Sequence, residues 1–600
     1  MPLLAIKQAH DLTAEVEFEG GEWTVEFQNP FTPEKEEELR WYFEKHLEFP
    51  MLEGPRAEQA AASIRQYGNS LFTQLFANGE LLAAFRNYRS DDVRIVISGQ
   101  PEFHRLHWEA LWAPQEPNPL AYRTVITRRA ARKDAPKIKL QTGPSIRVLV
   151  VVSRPHGESD VGYRTISRPL VETLHQASLA VELGFVRPGT WDRLRQHLAD
   201  RPKGYYHALH FDGHGAVVPV MQIEQLRKQG KLLVYGDAAN DPATDQSRKA
   251  FLFFEGPAEP GNDGLGQAIT AAQVADLVND SEIPVVILNA CQSGKQESEP
   301  ETNLASRLAQ AGVRAVLGMG YSVTVTAARQ FMEAFYREAF DGKPLSEAVT
   351  RARQQLNQNK RRNAYFGLQV ELEDWMLPVF YEGDPVQLQV RATADEERAI
   401  LKRRSEFFEA RPLKHHFWGR DLDVLGIERR VLSGDDHNIL LIEGMGGTGK
   451  TTLLQHLGWW WQTTGLVSRV FDFEYDQKPW TRQQILFEIA QKLDMRLDPD
   501  ERLQQEAIAK RLRAERCLLV LDNLESVTGE QLAIGQSLPK TERDGLQEFL
   551  RKLRGGKTLA LVGSRSKEEW LAAGTFGDNV HPLRGATAGR PSWPRYGSRN

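Results

Sequence analysis

The stretch that most restricts the fold is Gly444 to Thr451, GMGGTGKT. It fits the pattern G-x-x-x-x-G-K-[ST], and its surroundings fit too. The apolar run NILLIE precedes it and reads as a buried strand; Thr451 to Trp461 follows with helical character. Strand, glycine loop and helix in that order put the backbone N–H groups of the loop and the helix N-terminus around one anionic group. Gly444, Gly446, Gly447, Thr448, Gly449 and Thr452 would form the phosphate cradle. Lys450 would reach the β and γ phosphates, and the Thr451 hydroxyl would hold Mg²⁺. A second buried run, CLLVLDNLE from Cys517 to Glu525, ends in an acid, and Asp522 is the candidate second metal residue.

A chain of 600 residues is too long for one hydrophobic core, so several domains are expected. With 26% charged and 41% hydrophobic residues, the composition is that of a globular protein, and a net charge of -5 gives no basis for non-specific nucleic-acid binding. Two cysteines, Cys291 and Cys517, rule out a disulfide framework and suit a reducing compartment. The first residues lack the basic-then-apolar pattern of a signal peptide. No apolar run approaches the roughly 18 residues of a membrane span. A cytoplasmic protein is expected.

Strands and helices alternate over most of the length. Residues 1–140 read as mixed α/β, with a strand pair turning at Gly20-Gly21 and helices over Glu34–His46 and Glu58–Phe76. Residues 141–384 read as strands near Ile146, His207, Phe251, Val285 and Val313, with helices at Ser167–Ala180, Trp191–Asp200, Thr270–Val278, Thr302–Ala311, Thr326–Phe340 and Leu345–Leu356. Such alternation implies a mostly parallel sheet flanked by helices. Residues 385–414 read as a linker helix and 415–580 as a second α/β domain. Residues 581–600, free of acids and rich in Arg, Pro and Gly, read as a disordered tail.

Two strand ends carry reactive groups. HALHFDGHG, His207 to Gly215, runs out into Gly213-His214-Gly215; VVILNACQSG, Val285 to Gly294, stops at Asn289, just before Cys291. In open parallel sheets, reacting groups gather past the carboxyl ends of strands. A cysteine nucleophile needs a base, and His214 is the candidate. Backbone N–H groups of Gly215 and Cys291 would serve the oxyanion, with Gly213 and Gly215 in a tight turn. A lone buried cysteine or histidine is usually structural; the two motifs together favour catalysis. Cys517 reads as a core residue, and the aromatic segment around Trp108-Glu109 as core packing.

Two resemblances follow. The P-loop half resembles the STAND class of signal-transduction ATPases: Phe417-Trp418-Gly419-Arg420 is similar to the class's leading motif near the adenine, and Gly563-Ser564-Arg565 to its sensor motif. The resemblance implies ATP as ligand, Gly419 and Arg420 beside it, and Arg565 sensing the γ-phosphate. The second acid often found after the Walker B aspartate is Asn523 here, with Glu525 as a substitute. The chain also stops short of the class's following domains, as a truncation would. Residues 1–383 resemble the CHAT family of caspase-like cysteine peptidases, through His210–Gly215, Asn289–Gly294, Leu304–Gly312 and WMLPVFY at Trp375–Tyr381. It implies His214 as general base and Cys291 as nucleophile. Metacaspases carry an acid two residues before the cysteine; Asn289 holds that place here, and Asp212 is another source of charge.

Together these imply a caspase-like parallel sheet followed by a P-loop NTPase domain. The expected activity is a cysteine endopeptidase controlled by an ATP- and Mg²⁺-binding switch, in bacterial defence or programmed cell death. Its partners would be a protein substrate and nucleotide, with oligomerisation on ATP binding and no membrane or nucleic acid. The alternatives are an inactive peptidase-like docking platform driven by the same switch, and a plain ATPase or GTPase motor.

Overall fold

In the computed structural model the chain forms two compact units, Met1–Lys402 and Arg403–Asn600. The structure describes residues 2–48, 50–89, 92–130, 138, 143–155, 170–171, 180–234, 247–256, 265–290, 301–321, 323–364, 368–388, 395–396, 398–399, 420–432, 434, 437–476, 478–496, 498–527, 537–572, 574–577 and 579–583. The expected helix Ser167–Ala180 and the expected linker helix lie almost wholly outside these residues, as do Cys291 and Gly419.

The first unit is built on β1 (Leu3–His10), β2 (Thr13–Phe18), β3 (Gly21–Glu26), β4 (Arg94–Gly99), β5 (Val125–Ala130), β6 (Ile146–Val152), β7 (Val181–Val186), β8 (Ala208–Pro219), β9 (Leu232–Val234), β10 (Arg248–Glu255), β11 (Gly266–Thr270), β12 (Val285–Ala290), β13 (Ala315–Met319) and β16 (Pro378–Glu382). All fourteen join one sheet, while β14 (Arg361–Asn363) and β15 (Gln369–Glu371) pair separately. Its centre runs β7-β6-β8-β12-β13-β16, parallel except for β16. The strands IRVLVVV and VVILNA are apolar but for Arg147 and Asn289, as suits a parallel sheet covered on both faces. Through β16 and β5 the sheet continues into β4, β1, β2 and β3, so the N-terminal 130 residues extend the same sheet.

Alternation sorts the central side chains onto two faces. Leu149, Val151, Leu209, Phe211, Val286, Leu288 and Val316 share one apolar core with Trp191 and Leu194, Val274 and Val278, and Leu304 and Leu308 from three helices. Their neighbours in sequence point the other way. Those helices start and stop within two residues of the expected positions. Thr270 caps Ala271–Asp280 through a reciprocal bond with Gln273. Gly312, at φ 106, follows Glu301–Gln310 in the left-handed conformation that glycine adopts cheaply.

Two expectations for β8 are corrected. The strand does not end at Gly213 but runs twelve residues to Pro219. Its first half pairs with β6 and β12, and from His214 on it pairs with β10, Phe253 opposite His214 and Leu252 opposite Gly215. Gly213 and Gly215 are therefore strand residues rather than a tight turn. The small side is what position 213 requires, because a Cβ there would sit 2.7 Å from the Phe211 ring.

The second unit has β17 (Ile439–Glu443), β18 (Val470–Glu474), β19 (Leu518–Asp522), β20 (Leu559–Ser564) and β21 (Val580–Pro582), all parallel in the order β18-β19-β20-β17-β21. From His581 onward the sequence predicts a disordered tail. His581 and Pro582 instead pair with Ile442 and Glu443, because the β17 edge needs a ladder partner. Residues 584–600 lie outside the described residues. No helix among the described residues is long and apolar enough to cross a membrane.

Candidate functional site

The P-loop occupies the turn between β17 and the helix Lys450–Thr463. Gly447 and Gly449 have φ of 78 and 87 and open space where a Cβ would stand, leaving the loop hollow. Lys450 is buried, and its ammonium donates to the carbonyls of Gly444 (2.6 Å) and Met445 (3.3 Å). Burial lowers its pKa, against the pull of Glu525 and Asp522. Thr448 Oγ donates to the Met445 carbonyl at 2.8 Å. Thr451 and Thr452 open the helix, Thr451 beside Asp522 at the end of β19.

Asp522 is 2% exposed. One of its oxygens accepts the Asn523 N–H at 2.9 Å, and the other has no hydrogen-bond partner among the described residues. Burial raises its pKa to about 6, while the Thr451 hydroxyl and the Asn523 N–H pull it down. An orphaned carboxylate oxygen, a neighbouring threonine hydroxyl and an open glycine loop are the donor set that a hard divalent cation and a triphosphate fit.

Arg420 donates to the Thr448 carbonyl at 2.7 Å, so this sequence-predicted residue lies on the P-loop; it also donates to Asp423 at 3.0 Å. Arg565, after β20, stands over the loop, 3.4 Å from where a Gly446 Cβ would be. Its guanidinium is paired with Glu525 at 2.9 Å, and its backbone N–H donates to the same carboxylate. Glu525, the expected substitute for a second acid, is thus paired with Arg565.

In the first unit, β8 and β12 run in register from Ala208↔Val285 to Gly213↔Ala290. His214 is buried on the face that carries Ala208, His210 and Asp212. Asp212 is 1% exposed and bonded on both sides: Arg154 Nη2 donates to it at 2.6 Å and Asn289 Nδ2 at 2.9 Å. Asp212, considered as a source of pocket charge, is therefore ion-paired, and the Asn289 amide is turned toward it. Two residues below, His210 is fully buried, with neither ring nitrogen bonded among the described residues. Burial pushes its pKa down to about 4, so the ring is neutral at ordinary pH. Cys517 is buried in the second unit and burial raises its thiol pKa.

Arg154 carries no signal of its own in the sequence. It follows the run IRVLVVV by two residues and belongs to no motif, and its partner lies 58 residues on. The usable signal was its place at a strand end beside the HFDGHG strand.

Fold and sites together define a peptidase-like α/β unit followed by a nucleotide-binding P-loop unit. The chain belongs to the CHAT domain family, whose sequence profile matches residues 65–422, more than half its length. The NB-ARC domain, a nucleotide-binding module, matches residues 423–545. Among solved structures, two of the Saccharomyces cerevisiae separase–securin complex show 14% and 12% identity at a TM-score of 0.25. Each match covers 49% of this chain and 16% or 15% of the other. Caenorhabditis elegans PCH-2 shows 15% identity and a TM-score of 0.16, covering 26% of this chain and 37% of that one. The chain thus spans about a sixth of the separase chains it matches. No curated protein matches it.

Proposed function

We propose that the first unit is a cysteine endopeptidase with a His214–Cys291 dyad, governed by an ATP-binding switch in the second unit. The observation that carries this reading is the β8–β12 register, whose last described pair is Gly213↔Ala290. Residues 214 and 291 are each the next along. A peptide step spans only about 3.8 Å, so the thiol would leave the end of β12 beside the point where His214 stands within β8.

In this reading the His214 ring takes the Cys291 proton, and the thiolate attacks the scissile carbonyl carbon. The backbone N–H groups of Gly215 and Cys291 receive the developing oxyanion. The imidazolium then protonates the leaving amine as the C–N bond breaks. Water, deprotonated by the same histidine, hydrolyses the thioester. In the second unit the P-loop residues with Gly419, Arg420 and Arg565 would hold ATP, and Thr451 and Asp522 would hold Mg²⁺, which neutralises phosphate charge. Arg565, paired with Glu525 in this structure, would exchange that partner for a γ-phosphate, and that exchange would be the switch. Assembly on ATP binding, cleavage of a protein substrate in the cytoplasm and a role in bacterial defence or programmed death complete the proposal.

The test compares proteome cleavage by the wild type and by Cys291→Ala, with and without ATP. Cleavage lost in the variant supports the dyad; equal cleavage by both removes Cys291 from the chemistry and leaves the docking-platform reading. Alkylation gives an independent readout: an activated Cys291 reacts far faster than buried Cys517.

A further inference from the structure

The dyad histidine sits where β8 changes partners. The strand is held by β6 up to residue 212 and by β12 up to residue 213; from 214 its ladder is with β10. Such a seam is where a strand can splay, because the ladder that fixes its spacing from β12 is about to stop. A base on β8 and a nucleophile that follows β12 in sequence need that spacing held to within a fraction of an ångström.

One buried cluster sits at the seam, in the row before His214. The registers Val152↔Asp212 and Asp212↔Asn289 bring the three strands level there. Asn289 ties β12 to Asp212 on β8 at 2.9 Å. Arg154, 4% exposed, ties the end of β6 to the same carboxylate at 2.6 Å and to the Asp212 carbonyl at 2.8 Å. Its backbone N–H meets Glu255 at the end of β10, at 3.3 Å. The cluster thus reaches all four strands that meet at the branch. A planar guanidinium serves this better than an ammonium, because it reaches carboxylate and carbonyl at once in fixed directions.

We infer that Arg154, Asp212 and Asn289 are positioning residues for the proposed dyad, clamping β8 against β6 and β12 so that His214 faces residue 291. They touch no reacting atom and act through the strand spacing. The inference rests on the peptidase reading, and the experiment separates the two.

The full-length protein is treated with iodoacetamide across pH 5 to 9, and alkylation of Cys291 is followed by mass spectrometry. In the wild type, Cys291 outpaces Cys517, and His214→Ala removes the advantage. Asn289→Ala, and the charge-balanced double variant Arg154→Met with Asp212→Asn, are then expected to slow Cys291 at pH 7 at least tenfold. Their rate–pH profiles move toward that of His214→Ala. Hydrogen exchange in 208–211 and 285–288 reports whether the sheet itself is intact. Wild-type profiles in variants with intact exchange overturn the clamp and leave the dyad standing. If the double variant loses protection, Arg154→Lys replaces it: it keeps the charge but not the fork, and the same profile shift is expected, with an unshifted profile overturning the clamp. A wild type in which Cys291 has no advantage over Cys517 removes the dyad and the clamp together.

Discussion

Asp522→Asn should stabilise the ligand-free P-loop unit and abolish what Mg²⁺-ATP adds to it. The carboxyl is raised from its ordinary 3.8 to about 6, chiefly by burial. For an acid raised in this way, the folded state holds its proton longer than the unfolded chain. Its stabilising contribution is therefore complete below the unfolded pKa and is lost as pH rises through 6. A shift of that size is worth about 3 kcal/mol against the folded state at pH 7.5, at about 1.4 kcal/mol per unit. The amide removes that charge but leaves an NH₂ where the orphaned oxygen stood, at a cost of about 1–2 kcal/mol. The net gain is about 1–2 kcal/mol at pH 7.5, roughly five- to thirtyfold slower hydrogen exchange in β17, β19 and β20 if these open together. At pH 5, where the wild-type carboxyl is protonated, the gain vanishes or reverses. Added Mg²⁺-ATP should slow exchange in the wild type and leave the variant unchanged. A variant less stable than wild type at pH 7.5, or a gain that persists at pH 5, refutes the burial argument; equal protection of both by Mg²⁺-ATP refutes the metal role.

Glu109 is 1% exposed and pairs with Arg128 and with Arg353, at 3.5 Å from the latter, both guanidinium groups buried. Glu109→Gln leaves two buried cations short of a counter-charge and should cost about 3–5 kcal/mol, read as a lower unfolding midpoint of the first unit. Glu525→Gln frees the half-exposed Arg565 at little cost in stability and should tighten ATP several-fold while leaving ADP unchanged, measured by calorimetry; equal effects on both nucleotides would detach Arg565 from the γ-phosphate. His210, held near pKa 4, charges in the unfolded chain before the folded one, so the first unit should lose stability as pH falls from 6.5 toward 4. His210→Leu should flatten that loss in acid-unfolding curves.

Local features were readable where one short stretch decides its own structure. The P-loop helix begins at Lys450, and β6 spans Ile146–Val152 as the apolar run predicts. What escaped depended on partners far along the chain. Gly213-His214-Gly215 looks like a loop because glycine is a poor strand former; β10, more than thirty residues on, supplies the ladder that makes it a strand. His581 and Pro582 carry no strand signature and are extended because an edge of β17 is open. The same holds within the sites. The pairing of Arg154 with Asp212, and of Glu525 with Arg565, follows from strand order, which no single window of sequence displays.

The branching of β8 leaves the protein little tolerance for changes in chain length. Side chains along a strand face alternate sides, so adding or removing one residue between Leu209 and Gly213 would turn everything beyond it over. Whichever ladder kept its alignment, the other would be half a pleat out of step. If the β10 pairing held, Ala208 and its neighbours would lose their match to β6 and β12; if those held, the imidazole of residue 214 would be driven into the apolar core. A single-codon insertion or deletion cannot be absorbed there.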